Sequence, residues 1–252
     1  MANSVHRFGE DCQGSRILAA IPAYNEAATI EQVVRRVRES LPDFDLLVVN
    51  DGSTDATGEI LDRLNVTVAR HLSNLGYGRA IQTAIKFAEQ CEYDFLITLD
   101  ADGQHYPEQV LGLYEASRAE GWDLLIGSRY VKSHDYSDSP LGRRIGMRLF
   151  SMLVRAIAGR RIYDTTSGLK VIRRPVFKVL SRWHFIDFHA EAIVYLLRLG
   201  YSIGEYNVTV AARTHGQSMY SMLSHIAYPL KTALILLLGV FEAELTRRKQ
   251  SV

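Results

Sequence analysis

Residues 95–105 read FLITLDADGQH, an apolar run that ends in two carboxylates one residue apart. An apolar run bounded by a turn glycine predicts a buried strand. Carboxylate oxygens are ligands that Mg²⁺ and Mn²⁺ prefer, and these ions often share their coordination sphere with substrate phosphates. Open α/β sheets bind ligands at the carboxyl ends of their strands. We therefore predict a Mg²⁺ or Mn²⁺ site at this strand end; an Asp-x-Asp taken alone is also typical of a solvated turn or a cap.

Two earlier strand ends also carry polar residues. The run 46–49 leads into Asn50 and Asp51, and the apolar run 17–21 ends at residues 22–26, PAYNE. Because the carboxyl ends of parallel strands lie on one rim of a sheet, we expect the three turns to converge. Helix capping is the alternative explanation for Asp51 and Asp55.

Apolar runs and helical patterns alternate along the first half of the chain. The predicted strands are 17–21, 45–50, 66–70, 95–100 and 124–127, and the predicted helices lie near 27–40, 54–64, 78–90 and 107–120. Such alternation implies a mostly parallel, twisted sheet flanked by helices, which is an α/β fold. The polar stretch 130–141 follows and is predicted to be a mobile loop that could serve as a lid.

Composition excludes several classes of protein. The chain has 252 residues, of which 47% are hydrophobic, so it can bury a full core. A formal net charge of +1 argues against a nucleic-acid binder. Cys12 and Cys91 lack metal or disulfide spacing and favour a reducing compartment. The dinucleotide fingerprint of dehydrogenases is absent, and residues 22–26 do not form the glycine-rich basic turn of nucleotidyltransferases.

We expect three parts along the chain. They are a flexible tail without a secretory signal at 1–15, a catalytic domain at 16–219 and a helical extension at 220–252. The apolar run 232–241 is too short to span a bilayer. It is predicted to lie in the membrane interface, to pack against another subunit of a homo-oligomer, or to join the core.

Residues 142–158 have the pattern of a basic amphipathic helix. Arg144, Arg148 and Arg155 share one face, and apolar residues cover the rest. Such a helix suits the surface of an anionic membrane. A helix packed on the sheet with a solvated charged edge is the alternative.

Five motifs together resemble the inverting family-two glycosyltransferases. They are PAYNE at 22–26, NDGSTD at 50–55, DADGQH at 100–105, GSR at 127–129 and DTTSG at 164–168. The chain is most similar to the branch of dolichyl- and polyprenyl-phosphate sugar transferases, over about residues 15–220. The resemblance implies a GT-A fold and transfer of a hexose from a GDP- or UDP-sugar to a polyprenyl phosphate. It further implies a peripheral enzyme at the cytoplasmic face of the membrane.

The resemblance also suggests roles for individual residues. Nucleotide contacts are expected from Pro22, Ala23, Tyr24, Glu26, Asp51, Gly76, Gly78, Arg79, Asp100 and Ala101. The expected metal ligands are Asp102, Gln104 and Asp100. The expected catalytic groups are Asp100, Asp102 and Arg129, whose guanidinium would add positive charge near the diphosphate. Acceptor contacts are expected from Arg143, Arg144, Arg148, Ser167, Arg213 and Ser218.

The sequence leaves two kinds of acceptor open. A lipid phosphate is already anionic and needs positive charge, whereas a hydroxyl acceptor needs a general base. Residues 213–218, RTHGQS, match the family's Arg-x-x-Gly-x-Ser signature, but Met147 stands where the family usually has a serine. Asp164 or Glu191 would be the base for a hydroxyl acceptor; otherwise they are structural groups that pair with arginines or cap turns. A nucleotide-sugar-binding protein without catalysis is a third interpretation.

Overall fold

A seven-stranded sheet forms the centre of the computed structural model. The structure describes residues 15–132, 159–182 and 188–210, with single positions at 148, 151, 152, 154–156, 240, 241 and 244. The strands are β1 (Ile17–Ala23), β2 (Asp45–Asn50), β3 (Thr67–Arg70), β4 (Phe95–Thr98), β5 (Leu124–Ser128), β6 (Lys170–Arg173) and β7 (Ile203–Asn207). The helices are α1 (Ile30–Ser40), α2 (Thr57–Arg63), α3 (Tyr77–Gln90), α4 (Pro107–Glu120), α5 (Arg174–Arg182) and α6 (Ala190–Leu199).

The strand order is β3-β2-β1-β4-β6-β5-β7. Strand β1 pairs in parallel with β2 and β4, β2 with β3, and β5 with β7, whereas β6 runs antiparallel to both of its neighbours. The predicted mostly parallel α/β sheet is therefore confirmed. The carboxyl ends of β1, β2, β4 and β5 share one rim with the beginning of β6.

Helices cover both faces of the sheet. In β1, Leu18 and Ala20 belong to the core cluster that includes α3, α5 and α6. The alternate residues Ala19 and Ile21 belong to the cluster with α1 and α4. A strand whose two faces are both buried reads as a continuous apolar run, which explains why these strands were predicted from the sequence.

Two helices begin later than predicted, because turns at the rim come first. Asn25 has φ 56°, in the left-handed region, so α1 starts at Ile30. Asp55 accepts a hydrogen bond from the Thr57 N–H at 3.0 Å, and α2 starts at Thr57. Asp55 therefore forms a turn just ahead of α2, whose N-cap residue is Ala56 and has no side-chain capping hydrogen bond.

The predicted basic helix is described in part. Residues 148, 151, 152 and 154–156 are helical; Val154 is buried in the core cluster with α3, while Arg148 and Arg155 are exposed. The rest of that helix, most of the predicted lid and the tail 1–14 lie outside the described residues.

The C-terminal extension is described at few positions. Val240 packs against the α3 cluster, and Phe241 is exposed. Within the part of the chain that the structure describes, no helix is both long and apolar enough to cross a bilayer. The division at residues 15/16 and 219/220 stays a prediction.

Candidate active site

The turns after β1 and β2 are joined to each other by hydrogen bonds. Backbone N–H groups donate across the gap to side-chain oxygens: Asn25 to Ser53 Oγ at 3.1 Å, Glu26 to Thr57 Oγ1 at 2.8 Å, Ala27 to Asp55 Oδ2 at 3.1 Å and Thr54 to Asn25 Oδ1 at 2.8 Å. We call residues 25–27 and 53–57 the β1–β2 clamp. The predicted convergence of these two turns is confirmed.

Asp51 holds the glycine-rich loop in place. Its buried carboxylate accepts hydrogen bonds from the N–H groups of Leu75, at 2.9 Å, and Gly76, at 2.8 Å. His71 Nδ1 lies 2.6 Å from Asp51 Oδ1, and His71 Nε2 lies 2.8 Å from Thr83 Oγ1. These contacts tie the loop 71–76 to the end of β2, so Asp51 has a structural role. Its contact with a nucleotide stays a prediction.

Gly52 permits this close approach of the loop. It has φ 67°, and a Cβ there would lie 2.3 Å from the Ser73 carbonyl carbon. No other residue fits without moving the loop backbone.

The remaining predicted nucleotide contacts lie along the same rim. Pro22 and Ala23 are the last residues of β1, and Tyr24 follows them with 43% of its surface exposed. Gly78 and Arg79 lie in the first turn of α3, where Arg79 Nη1 donates to Gln82 Oε1 at 2.8 Å. Their contacts with a nucleotide stay predictions.

The predicted metal ligands lie in the turn between β4 and α4. Asp102 Oδ1 accepts a hydrogen bond from the Gln104 N–H at 3.0 Å, around Gly103 with φ 73°. Asp100 Oδ2 lies 3.3 Å from His105 Nε2. Ala101, between the two carboxylates, is buried.

These oxygen donors fit a divalent ion whose coordination sphere is completed by the substrate. Among the described residues, no group of three or more His, Cys, Asp and Glu side chains is arranged to hold a metal. Mg²⁺ is commonly held by only one or two carboxylates together with substrate phosphates and water. Two carboxylates and the Gln104 amide oxygen suit that mode of binding.

Asp100 is prepared to carry a negative charge. Burial opposes its ionisation, but the hydrogen bond with His105 and the nearby charges of His105, His189 and Lys170 hold the pKa of Asp100 below its usual value. Gly168 packs directly against the carboxylate, since a Cβ at Gly168 would lie 2.1 Å from both Asp100 oxygens.

Arg129 forms a bidentate ion pair with Asp164. Arg129 Nε donates to Asp164 Oδ2 at 2.7 Å, and Nη2 donates to Oδ1 at 2.8 Å and to Thr166 Oγ1 at 3.2 Å. Asp164 is fully buried, and although burial opposes its ionisation, Arg129 keeps its pKa low. Both Asp164 oxygens are occupied, so Asp164 is poorly suited to act as a base. A role for Arg129 near the diphosphate stays a prediction.

The Asp164 backbone is held from the other side by β7. Glu205 accepts hydrogen bonds from the N–H groups of Tyr163 and Asp164, each at 2.8 Å. After β7 the chain returns to the turn between β4 and α4, where Val210 forms a β-bridge with His105. Val210 therefore lies beside the turn that carries Asp100.

The predicted acceptor contacts are described only in part. The Ser167 hydroxyl is buried and accepts a hydrogen bond from the Leu169 N–H at 3.3 Å. Arg148 is exposed on its helix. Arg143, Arg144, Arg213 and Ser218 lie outside the described residues.

Two features of the site were not predicted from the sequence: the burial of Lys170 and the close packing of Gly168 against Asp100. Lys170 is the first residue of β6 and is fully buried. A strand of four residues that begins with a lysine has no apolar pattern to reveal it. The nearest available signal was the DTTSG motif, which ends two residues before Lys170.

Comparison with known proteins identifies the family. Residues 19–181 match the family model Glycosyl transferase family 2. The chain belongs to this family. The prediction that it is a glycosyltransferase is thereby confirmed.

Two bacterial relatives match most of the chain. It is 32% identical over 217 residues to polyprenol monophosphomannose synthase of Mycolicibacterium smegmatis, a match that covers 82% of this chain and 81% of that protein. It is 31% identical over 215 residues to undecaprenyl-phosphate mannosyltransferase of Micrococcus luteus, covering 82% and 88%. Both names agree with the predicted branch of the family.

A solved structure has the same fold. Glucosyl-3-phosphoglycerate synthase from Mycobacterium tuberculosis, in complex with Mn²⁺, UDP-glucose and phosphoglyceric acid, matches with a TM-score of 0.65 at 20% identity. The match covers 90% of this chain and 80% of that chain. The predicted GT-A type of α/β fold is confirmed by this likeness.

Proposed function

We propose that this protein transfers a hexose, with inversion, from a GDP- or UDP-sugar to a polyprenyl phosphate at the cytoplasmic surface of a membrane, and that the reaction depends on Mg²⁺ or Mn²⁺. The observation that carries the proposal is the acidic turn Asp100–Gln104 at the carboxyl end of β4, beside the rim formed by β1 and β2. Relatives named for transfer to lipid phosphates support the acceptor. A membrane-bound acceptor in turn supports peripheral attachment.

The chemistry requires stabilisation of a leaving diphosphate. A divalent ion bound by Asp102, with Asp100 and Gln104, would neutralise the charge that develops when the bond from the anomeric carbon to the diphosphate breaks. Asp100 is kept ionised by its surroundings, which suits this task. The β1–β2 clamp and the loop tied to Asp51 are proposed to hold the nucleoside, so that the sugar points toward the β4 end of the rim.

A phosphate acceptor agrees with the state of Asp164. An acceptor phosphate oxygen forms the new bond to the anomeric carbon and needs no base, because it carries no proton at neutral pH. The base considered for a hydroxyl acceptor, Asp164, is engaged by Arg129 through both oxygens. At Val210, just before the predicted acceptor segment 213–218, the chain pairs with His105 in the turn between β4 and α4.

The donor is tested first, by binding. Thermal unfolding is measured with GDP- and UDP-hexoses, with and without Mn²⁺. One donor should raise the midpoint only when Mn²⁺ is present, because a ligand that binds the folded state stabilises it by mass action. The Asp102→Asn variant should lose this shift, whereas Asp43→Asn, at an exposed position away from the rim, should keep it.

The acceptor is tested next, by transfer of labelled sugar. Polyprenyl phosphate in detergent should become labelled, and free sugars or glycans should not. If only soluble hydroxyl compounds become labelled, the acceptor is a hydroxyl group and the proposed lipid phosphate is wrong. Metal-dependent donor binding without transfer to any acceptor would favour a nucleotide-sugar-binding protein.

A further inference from the structure

Lys170 is a buried charge that the proposed chemistry does not yet use. Its side chain has 0% of its surface exposed, although it begins a strand at the rim. Burying an ammonium group is costly unless hydrogen bonds and countercharges compensate. The groups around Lys170 therefore indicate what it does.

The Lys170 ammonium holds the turn that precedes β6. Its Nζ donates a hydrogen bond to the Ser167 carbonyl oxygen and lies 5.6 Å from the centre of the Phe188 ring. Thr98 is paired with Lys170 in the sheet, and Thr98 Oγ1 donates to the Gly168 carbonyl oxygen at 2.6 Å. Two buried side chains on adjacent strands thus bind two consecutive carbonyl groups.

The same turn packs against the Asp100 carboxylate. Gly168 leaves no room for a Cβ, which would lie 2.1 Å from each Asp100 carboxylate oxygen. A shift of the Ser167–Gly168 backbone therefore changes the space in which the Asp100 carboxylate rests. Since proteins tune metal ligands through the groups that contact them, such a shift should be felt at the metal.

We propose that Lys170 is a positioning residue for the metal–diphosphate site: by binding the Ser167 carbonyl it holds Gly168 against Asp100 and fixes the orientation of that carboxylate. The inference rests on the proposed function, because it assumes that Asp100 faces the metal and the diphosphate. The buried positive charge of Lys170 also lies near Asp100 and Asp164 and favours their ionised forms.

The test measures Mn²⁺ affinity and does not rely on turnover. Free Mn²⁺ is followed by electron paramagnetic resonance while it is titrated into protein saturated with UDP or, separately, GDP. Lys170→Met keeps the length of the side chain and removes the charge and the donor. We expect it to weaken Mn²⁺ binding about tenfold or more, the usual effect of losing a group that orients a metal ligand.

Three further variants separate positioning from general stability. Lys170→Arg keeps a positive donor and should retain more affinity than Lys170→Met, and Thr98→Val removes the second carbonyl contact and should weaken binding by a smaller factor. Ile85→Ala opens a cavity in α3, in the core cluster that includes none of residues 99–102 or 167–169, and lowers stability without touching Asp100. It should leave Mn²⁺ affinity unchanged at temperatures well below its unfolding midpoint.

The outcomes distinguish the two levels of the proposal. If wild-type protein shows no nucleotide-dependent Mn²⁺ binding, the proposed function fails, and the positioning role that rests on it fails as well. If wild type binds but Lys170→Met and Thr98→Val bind equally well, the positioning role is refuted and the proposed function stands. Should Lys170→Met fail to fold, Lys170→Arg and Thr98→Val decide the question by the same titration.

Discussion

The two sides of the strand-end rim are held together by different chemistry. On the side of β1 and β2, the clamp consists mainly of backbone N–H groups that donate to side-chain oxygens at the surface. On the side of β4, β5 and β6, the turns are held by ionic groups: the buried Asp164 pairs with the partly buried Arg129, and the buried Lys170 binds the Ser167 carbonyl oxygen. A single hydrogen bond contributes about 1 kcal/mol, whereas breaking a buried ion pair costs about 3–5 kcal/mol.

Under the proposed function, charge develops at the leaving diphosphate, on the side of the rim that has the ionic groups. Fixed buried charges keep their orientation when the charge on a substrate changes, and they require no reorganisation at that moment. A nucleoside base can be held by neutral contacts. We therefore expect changes on the β4–β6 side to have larger effects than changes on the β1–β2 side, and the following predictions test that order.

The largest effect is expected from Asp164→Asn. The substitution leaves the Arg129 guanidinium without its ionic partner and should lower the free energy of unfolding by about 3 kcal/mol at pH 7. Urea denaturation measures the change. As a matched control, Asp62→Asn removes the exposed ion pair with Arg70, at 2.5 Å, and should cost about 0.5 kcal/mol.

The same variant predicts a pH dependence. Burial opposes the ionisation of Asp164, but the hydrogen bonds and charge of Arg129 keep the pKa of Asp164 below its ordinary value of 3.8 in the folded protein. The stabilisation is therefore complete above about pH 4 and is lost as the pH falls through the lowered pKa. The difference in unfolding free energy between wild type and Asp164→Asn should shrink below pH 4; a constant difference down to pH 2 would contradict the role of the ion pair.

Gly168→Ala should have the next largest effect, this time on activity. The added methyl group would collide with the Asp100 carboxylate and displace it, and a misplacement near 1 Å can cost about a hundredfold in rate. Sugar transfer under saturating donor measures the loss. Gly58→Ala is the control, because its Cβ meets its nearest atoms at an ordinary 3.6 Å. Full activity of Gly168→Ala would show that the position of Asp100 is unimportant.

Asp51→Asn should have an intermediate effect. The amide can accept only part of the hydrogen bonds that the carboxylate accepts from Leu75, Gly76 and His71. Hydrogen exchange of the Leu75 and Gly76 amides should accelerate about tenfold, which corresponds to a loss of about 1.4 kcal/mol. Thr83→Val removes only the outer partner of His71 and should change these rates less. Unchanged exchange in Asp51→Asn would mean that the loop is fixed by other contacts.

The smallest effect is expected from Asp55→Ala in the β1–β2 clamp. Asp55 accepts hydrogen bonds from the N–H groups of Ala27 and Thr57, and the loss of such a hydrogen bond costs about 1 kcal/mol. Thermal unfolding should show this loss, while Mn²⁺ affinity should remain that of wild type. A loss of Mn²⁺ binding in Asp55→Ala would show that the β1–β2 side of the rim also determines metal affinity, contrary to the expected order.

The part of the fold that the sequence predicted is the part made of buried parallel strands. Strands β1, β2, β4 and β5 are apolar on both faces, so their runs are visible without tertiary information. Strands β6, KVIR, and β7, IGEYN, are short and carry charged residues. The charged residues of these strands are held by the Ser167 carbonyl in the turn before β6 and by the distant backbone of Tyr163, and no local periodicity indicates either contact.

The candidate site was predictable to the same degree. The positions of Asp51 and Asp100 follow from strand ends, and the structure has both residues at the rim. That Asp164 pairs with an arginine was one of the alternatives left open by the sequence; that the arginine is Arg129, 35 positions away, required the fold. The buried ammonium of Lys170 could not be predicted, because a lysine is far more often exposed.

Strand β6 runs opposite to its neighbours, and this has an evolutionary consequence. The chain leaves the sheet after Ser128 and re-enters it at Lys170 on the same rim, and Arg129 and Asp164 close the base of this excursion. Its length can therefore change without altering the register of any strand. Under the proposed function, insertions in this excursion would reshape the acceptor side of the site and leave the proposed nucleotide contacts in place.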